Sequence, residues 1–306
     1  MSVLKEEIVY PVFLEIFGFE VRVYGIFIAL GFILALYVAK YHAKSEGEDP
    51  QLIENYGFVA LFSGVLGARL YYVLFNWNYY SQHLSEILAT WKGGLAIHGG
   101  IIGGIIGTCI YGKVKKLSPL KLGDYVAAPF LLGQTFGRMG NFMNGEVHGV
   151  PTFTPFKIIF NLKPIFYQWY ESYLELPIIE KVEYRELVPW GMVFPKDSSA
   201  GSEFPNIPVH PAMLYELILN FCGFLFILFI LRKKTNRSIG FLWWSYLIIY
   251  SLIRTFVSFF RAEDLMFHGF RAPHVISVIL IVVSLIGMGL TKNTKKYKKI
   301  KFRRSL

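Results

Sequence analysis

The densest group of polar side chains in this sequence lies in residues 137–149, which read GRMGNFMNGEVHG. Arg138 and Glu146 carry charges, Asn141 and Asn144 carry amides, and glycines separate them. A guanidinium and backbone N–H groups freed at a broken helix end are suited to binding an anionic oxygen. An ordinary turn at a membrane surface would explain the glycines, but not the arginine and the glutamate together. The segment is therefore a candidate anion site.

A second group of polar residues recurs at helical spacing in a hydrophobic segment late in the chain. Tyr250, Arg254, Ser258 and Arg261 lie at positions i, i+4, i+8 and i+11, which places them on one face of an otherwise apolar helix. Guanidinium groups bind phosphate oxygens through paired hydrogen bonds, so this face predicts a phosphate clamp. The alternative is an internal ion pair with Glu216 or with the glutamate of the first motif.

A third candidate is His98, which precedes a series of glycines. Gly99, Gly103 and Gly107 follow at four-residue intervals, and this spacing predicts a helix that another helix can approach closely. An imidazole titrates nearest to neutral pH among the side chains, so His98 could act as a general base or as an electrostatic partner. It could equally be a hydrogen-bonded histidine at a membrane interface, and the spacing does not decide between these roles.

The elements that must position these residues are predicted to be membrane-spanning helices. Of the 306 residues, 54% are hydrophobic and 17% are charged, whereas about 25% charged is usual in a soluble domain. Several windows of roughly 20 residues lack charge and could cross the hydrocarbon core as helices, which open strands cannot do. We predict an all-α integral membrane protein with about seven transmembrane helices. Spans are expected at 23–39, 53–75, 95–112, 122–141, 211–231, 239–259 and 273–291, the fourth being the weakest by hydropathy.

The basic residues predict the orientation of these spans. More than half of the 31 lysines and arginines fall in four alternate segments, 40–51, 113–121, 232–238 and the tail after residue 291. The positive-inside rule places such segments in the cytoplasm, so the N-terminus is expected outside and the C-terminus in the cytoplasm. The net charge of +10 is then mostly a topology signal. Contact with anionic lipid headgroups explains the basic tail without invoking nucleic acid.

One long connection, 142–210, separates the spans into two groups. Its aromatic residues favour a small extracytoplasmic cap between helices 4 and 5, with strands expected around 156–160 and 164–168. The two cysteines, Cys109 and Cys222, fall inside spans and are expected to be packing residues, not metal ligands or a disulfide. The predicted organisation is transmembrane helices 1–4 in residues 1–141, the cap in 142–210, transmembrane helices 5–7 in 211–291 and a basic cytoplasmic tail in 292–306.

The motif Gly-Arg-x-Gly-Asn-Phe-x-Asn-Gly-Glu-x-x-Gly at 137–149 resembles the signature of the bacterial prolipoprotein diacylglyceryl transferase family. The resemblance covers nearly the whole chain, and its fixed residues are unusual ones for a membrane interior. Further elements of the family match in the same order, namely Tyr24-Gly25, His98-Gly99-Gly100, His210-Pro211, Leu214-Tyr215-Glu216, Arg254 and Arg261.

The resemblance implies an enzyme of the bacterial inner (cytoplasmic) membrane. Such an enzyme transfers the diacylglyceryl group of phosphatidylglycerol to the lipobox cysteine of a preprolipoprotein signal peptide, which yields a thioether and glycerol phosphate without a metal or organic cofactor. Its partners would be these two substrates and the surrounding membrane lipids. Two other classes fit part of the pattern, a phospholipid transporter or scramblase with a basic headgroup cavity, and a seven-helix receptor. A transporter often shows two similar halves, which this sequence lacks.

The resemblance also selects the site residues. Catalytic roles are expected for His98, Arg138 and Arg254. The arginines would bind the phosphate and stabilise the leaving group, and His98 would assist thiol deprotonation or orient the headgroup. The substrate-binding set comprises Tyr24, Asn141, Asn144, Glu146 and Gly149 around the headgroup, with Arg69, Glu216 and Arg261 supporting them.

Two positions depart from the pattern of the family. Ser258 stands where the family commonly has a glutamate, and His274 stands where a glutamine is common. A carboxylate at 258 would lie one helical turn from Arg254 and would partly neutralise it. Without that carboxylate, the guanidinium must be balanced by the substrate phosphate, by Glu216, by Glu146 or by a water-filled cavity, because an unpaired buried charge is costly.

Overall fold

The computed structural model describes residues 11–16, 19–90, 93–181, 184, 186–234, 237–263 and 265–292. Seven long helices run through these residues. They are α1 (Val23–Ser45), α2 (Pro50–Phe75), α3 (Ile97–Lys115), α4 (Pro119–Met143), α5 (Ala212–Phe226), α6 (Phe241–Phe260) and α7 (Ala272–Thr291). A π-helical turn, Ile227–Leu231, extends α5. The all-α class expected from the sequence is confirmed.

Six of these helices, all except α4, are long and apolar enough to cross a membrane, within the residues that the structure describes. The sequence marks α4 as the least hydrophobic span because it contains Asp124, Gln134 and Arg138. These side chains bind protein groups: Asp124 Oδ2 accepts from the Gly240 backbone N–H at 2.7 Å, and Gln134 Nε2 donates to the Tyr246 hydroxyl at 3.1 Å. The polar residues that lower the hydropathy of α4 are therefore paired within the fold.

The described residues form two compact units. Those within 1–35, 127–234 and 241–293 form the first unit, and those within 36–126 and 235–240 form the second. In the first unit, glycines allow the helices to pack closely. A Cβ added at Gly223 of α5 would lie 3.0 Å from Ile249 of α6 and 3.1 Å from Leu131 of α4, and Gly287 of α7 lies against the ring of Trp244 of α6. Gly223 thus allows α5 to pack closely against both α4 and α6, the helices that carry Arg138 and Arg254.

In the second unit, α2 packs against α3 through the glycines whose spacing predicts a close approach. A Cβ added at Gly103 would meet the Ser63 carbonyl and would lie 3.0 Å from the Gly67 Cα, and Gly99 lies against the Gly67 carbonyl. By contrast, nothing lies within 4 Å of a Cβ added at Gly104. One face of α3 thus has no room for a side chain, which follows from the small-xxx-small pattern.

Residues 142–210 form a small folded region, called the cap below. Its helices are Phe156–Ile159, Phe166–Glu175, Ile178–Lys181 and Ser199–Glu203. The strands expected around 156–160 and 164–168 are wrong, because both segments contain helices. Aromatic residues of the second cap helix recur at intervals of three and four, the period of a helix. Among them, Phe166 and Tyr170 pack against the buried Phe204.

Two short β-hairpins lie before α1 and between α6 and α7. The hairpins are β1 (Val12–Ile16) with β2 (Phe19–Arg22), and β3 (Met266–Phe267) with β4 (Phe270–Arg271). Isolated bridges pair Gly149 with Arg261, and Val209 with both Pro151 and Met192. The two ends of the cap are thereby joined to each other and to the residue that follows α6. The predicted basic tail lies, beyond Lys292, outside the described residues.

Candidate active site

Glu216, in the second turn of α5, pairs with two arginines from neighbouring helices. Its Oε1 lies 2.8 Å from Nη2 of Arg138 on α4, and its Oε2 lies 3.6 Å from Nη1 of Arg254 on α6. The Glu216 side chain is 3% exposed, whereas the side chains of Arg138 and Arg254 are 25% and 15% exposed. A carboxylate this deeply buried requires cationic partners. The two guanidinium groups, in contrast, retain surface that a ligand can contact.

Arg138 extends this cluster into the motif at 137–149. Its Nη1 donates to Asn141 Oδ1 at 2.8 Å. Asn141 Nδ2 in turn donates to Glu146 Oε2 at 3.3 Å, and Asn144 Nδ2 donates to Glu146 Oε1 at 3.2 Å. Six of the side chains that the sequence predicts as site residues are thus joined in one network. It runs from Arg254 through Glu216, Arg138 and Asn141 to Glu146, which also accepts from Asn144.

A turn directly after α4 produces this arrangement. The helix ends at Met143, and Gly145 follows with φ +61°, in the left-handed region that glycine adopts without strain. The turn brings the chain back, so that the Glu146 backbone N–H donates to the Asn141 carbonyl at 2.9 Å. The break that the glycines predict is therefore present at the end of α4, and it directs Glu146 towards the asparagines.

Two other glycines of the motif allow close contacts within the first unit. A Cβ added at Gly140 would lie 2.6 Å from the ring of Tyr24, so the predicted site residue Tyr24 packs directly on the motif. A Cβ added at Gly149 would lie 2.7 Å from both the Cβ and the carbonyl oxygen of His210, and the Gly149 N–H donates to that carbonyl at 2.8 Å. Gly149 is thus covered on this side by backbone of the protein itself.

Arg261 lies one residue beyond the end of α6, and not on the helix with the other residues of the polar face. Its backbone bridges to Gly149, and its carbonyl accepts from Nη1 of the buried Arg271 at 3.2 Å. His274, one of the two departures from the family pattern, donates from Nε2 to the Thr255 carbonyl at 3.2 Å. Both residues therefore contact the C-terminal part of α6 or the residues that follow it.

Two predicted site residues, Arg69 and His98, belong to the second unit. Arg69 is 2% exposed, and its guanidinium donates to four backbone carbonyls between residues 86 and 94 at 2.6–3.0 Å. These bonds tie the guanidinium of Arg69 to the connection between α2 and α3. His98 is exposed in the first turn of α3, with its ring centroid 6.0 Å from that of Tyr71. Its exposure leaves the imidazole accessible for chemistry.

The sequence model of the prolipoprotein diacylglyceryl transferase family matches residues 11–290. The chain belongs to this family. Every candidate site residue lies within the matched part of the chain, including the motif at 137–149 and the arginines of α6.

Individual members of this transferase family resemble the chain along nearly its full length. A protein of Fusobacterium nucleatum named phosphatidylglycerol–prolipoprotein diacylglyceryl transferase is 60% identical over 286 residues, which are 94% of this chain and 99% of that protein. Proteins of the same name from Clostridium novyi and Staphylococcus epidermidis are 37% and 36% identical, and they cover 90% and 96% of this chain and 93% of their own lengths.

This member of the transferase family also contains a hydrogen-bonded group beside Glu216 that the sequence prediction did not include. Trp190 Nε1 donates to the Tyr215 hydroxyl at 2.7 Å, and that hydroxyl lies 2.9 Å from Nδ1 of His210. Burial lowers the pKa of His210 to about 4, so the ring is neutral at physiological pH and Nδ1 can accept from the hydroxyl. The His-Pro and Tyr-Glu dipeptides were the only sequence signal for this group.

The charged groups of the site define what it can bind. Arg138, Arg254 and Glu216 together carry one net positive charge, in a setting where exposed guanidinium surface lies beside a buried carboxylate. Such an arrangement attracts an anion and presents planar donors suited to phosphate oxygens. Within the described ranges, no three His, Cys, Asp or Glu side chains come together in a group that could hold a metal ion.

Proposed function

We propose that this protein transfers the diacylglyceryl group of phosphatidylglycerol to the thiol of a lipobox cysteine in a prolipoprotein signal peptide. The observation that carries the proposal is the cluster of Arg138, Glu216 and Arg254 in a chain of this transferase family. The name of the F. nucleatum relative, which includes phosphatidylglycerol and prolipoprotein, supports the same two substrates here. The relatives give no support to the alternative of a phospholipid transporter.

In the proposed step, the cysteine sulfur bonds to the carbon of the diacylglyceryl group that carries the phosphate. The bond between that carbon and the phosphate oxygen breaks. The bonding electrons leave with the oxygen, so that glycerol phosphate departs and the thioether stays on the peptide. The thiolate is the reactive form of the acceptor, and a free cysteine has a pKa of about 8.5. Removal of the thiol proton, or a positive field that favours the thiolate, therefore assists the attack.

Arg138 and Arg254 bind the phosphodiester and stabilise the leaving phosphate in this proposal. The net positive charge of the two arginines with Glu216 matches the single negative charge of a phosphodiester. The leaving group gains charge as the carbon–oxygen bond breaks, so the attraction to the arginines increases towards the transition state. An interaction that strengthens in this way lowers the barrier, whereas one that binds substrate and transition state equally does not.

The remaining residues position the reactants. Asn141 binds Arg138 and is linked with Asn144 through Glu146, while Tyr24 packs on Gly140 of the same motif. We assign the polar atoms of these residues to the hydroxyl groups of the headgroup glycerol. His98 assists removal of the thiol proton or orients the headgroup. Both roles suit an accessible imidazole, and the first turn of α3 presents the exposed ring of His98.

We place the protein in the inner (cytoplasmic) membrane of a bacterium, with its N-terminus outside and its C-terminus in the cytoplasm. The six apolar helices support a multi-pass membrane protein. The alternation of basic segments supports the orientation. In this orientation α4 runs from the cytoplasmic side at Pro119 to the outer side at Met143, so the arginine cluster and the cap lie towards the outer surface.

Transfer to a peptide tests the proposed function. The purified protein is incorporated into vesicles that contain phosphatidylglycerol and is incubated with a lipobox peptide, and the peptide mass is measured. We expect a gain of one diacylglyceryl group. A peptide with serine in place of the cysteine, and vesicles of phosphatidylcholine alone, serve as controls and should show no gain. Lipid movement across the bilayer with no change in peptide mass would favour a transporter and contradict the proposal.

A further inference from the structure

The turn that follows Glu146 contains an unusual backbone conformation. Val147 has φ +62°, in the left-handed region. For a β-branched residue this conformation is strained and persists only where the surrounding structure enforces it. The hydrogen bonds of Glu146 to Asn141 and Asn144 fix the residue before the strained position. The residue after it must be fixed as well, or the turn could relax and release Glu146.

His148 makes the contacts that fix the other side of the turn. Its side chain is 6% exposed, and its Nε2 lies 3.1 Å from Oε2 of Glu203 in the last cap helix. The other oxygen of Glu203 accepts from the Tyr167 hydroxyl at 2.6 Å. The imidazole also packs edge-on against Phe204, at a centroid distance of 5.6 Å. Two cap helices, Phe166–Glu175 and Ser199–Glu203, are thereby connected to the motif through one ring.

The Glu203 carboxylate is a suitable partner for this purpose. Burial alone would raise the pKa of Glu203, but the hydrogen bonds from His148 and Tyr167 outweigh burial and lower it. Glu203 is therefore ionised at neutral pH and accepts from Nε2 of the imidazole. A hydrogen bond to an ionised acceptor is stronger than one between neutral groups.

We propose that His148, held by Glu203 and Tyr167, is a positioning residue that maintains the strained turn at Val147 and thereby holds Glu146 in the hydrogen-bonded chain that reaches Arg138. The inference rests on the proposed function. It gives the cap a role in the reaction, because a helix of the cap sets the position of a carboxylate at the site. A residue that acts in this way affects turnover through geometry, without contacting the substrate.

Epistasis with Val147 separates this role from ordinary packing of the cap. Glycine adopts positive φ without strain, so Val147→Gly removes the strain that His148 is proposed to hold. His148→Phe keeps an aromatic ring against Phe204 but loses the donor to Glu203. If the imidazole only stabilised the cap, the loss caused by His148→Phe would not depend on which residue occupies position 147.

The experiment compares wild type, Val147→Gly, His148→Phe, the double variant and Glu203→Gln in the peptide transfer assay, with kcat and KM measured separately. We expect Val147→Gly to stay within about twofold of wild type. His148→Phe should lower kcat roughly tenfold with little change in KM for the lipid, and Glu203→Gln should change kcat in the same direction. The double variant should recover most of the loss. Wild-type turnover in His148→Phe, or a double variant no better than His148→Phe, would overturn the inference.

Hydrogen–deuterium exchange of residues 145–149 provides a readout that does not depend on activity. The backbone N–H groups of Glu146 and Gly149 donate to Asn141 and His210 at 2.9 and 2.8 Å, so they should exchange slowly in wild type. Exchange should accelerate in His148→Phe and slow again in the double variant. If the wild type shows no transfer, the proposed function fails while exchange still decides the role of His148. Unchanged exchange in His148→Phe would contradict that role in either case.

Discussion

At the scale of single residues, Glu216 explains how the chain accommodates two arginines on neighbouring helices. The sequence left the counter-charge of Arg254 open among Glu216, Glu146, a bound phosphate and a water-filled cavity. In the structure, Glu216 lies within 3.6 Å of Arg254 and also binds Arg138 at 2.8 Å. Glu216 on α5 therefore provides the carboxylate that is missing at Ser258 on α6. Because two arginines share this one carboxylate, the cluster keeps a net positive charge that can attract an anion.

Moving the carboxylate from position 216 on α5 to position 258 on α6 tests this account of Glu216. Glu216→Gln should lower the apparent affinity for phosphatidylglycerol at least about tenfold, because both guanidinium groups lose their ionic partner. Ser258→Glu alone should also weaken lipid binding, because a second carboxylate would compete for Arg254. The double variant should regain much of the affinity. Affinities are measured on all four proteins after each is shown to be monodisperse, and a double variant weaker than Glu216→Gln would count against the shared carboxylate.

The geometry of the guanidinium, and not only its charge, is expected to matter at Arg254. Arg254→Lys should lower kcat/KM for transfer by about tenfold to a hundredfold, because a lysine cannot form the paired hydrogen bonds of a planar fork. Arg22→Lys is a matched control, since Arg22 is exposed and pairs with Glu20, two residues before it, across the surface of the first hairpin. The control should be near wild type. Near-normal turnover in Arg254→Lys, at equal expression, would rule out a geometric clamp.

At the scale of elements, hydrophobic and small-residue patterns give the helices and one of their contacts. The glycine spacing of α3 predicts that another helix packs closely against it, and in the structure that helix is α2. Glycine has no side chain, so the backbone of the partner helix can approach it closely. The cap is less predictable. Its aromatic residues suit strands as well as helices, and only the three-and-four spacing after Phe166 distinguishes the helix that forms.

The close approach of α2 and α3 gives a prediction with a control on the same helix. Gly103→Ala should destabilise the protein by about 1–3 kcal/mol, because the added methyl meets the backbone at Ser63 and Gly67, which cannot move aside as a side chain would. Gly104→Ala, where nothing lies within 4 Å, should leave the stability unchanged. Thermal unfolding in detergent measures both. Equal melting temperatures for the two variants would show that the contact is not tight.

At the scale of the whole molecule, the sequence predicts the spans and the motif but not which charges pair. Spans follow from local hydropathy, and the break after α4 follows from local glycines. The pairing of Arg138 with Glu216 depends on the depth and rotation of α4 and α5, which packing contacts such as that of Gly223 determine. The carbonyl partners of Arg69 could not be predicted either. Every residue has a backbone carbonyl, so the residue types do not indicate which carbonyls the guanidinium binds.

The orientation in the membrane can be measured directly. Fusions of a reporter that is active only in the cytoplasm should be active when placed after Thr291 and inactive when placed within 160–200. The reason is that the basic connections 113–121 and 232–238 lie on the same predicted side as the end of the chain. A reporter after Thr291 that indicates the outer face would contradict this topology.

The most direct test of the central claim, covalent transfer at the arginine cluster, is to count both products in one reaction. Wild-type protein, phosphatidylglycerol and a lipobox peptide are incubated, and the thioether peptide and the released glycerol phosphate are quantified together. We expect equal amounts of the two products from wild type, and a parallel loss of both from Arg138→Lys, with no release when the peptide is omitted. Release of glycerol phosphate without thioether, or thioether formation unaffected in Arg138→Lys, would contradict the account.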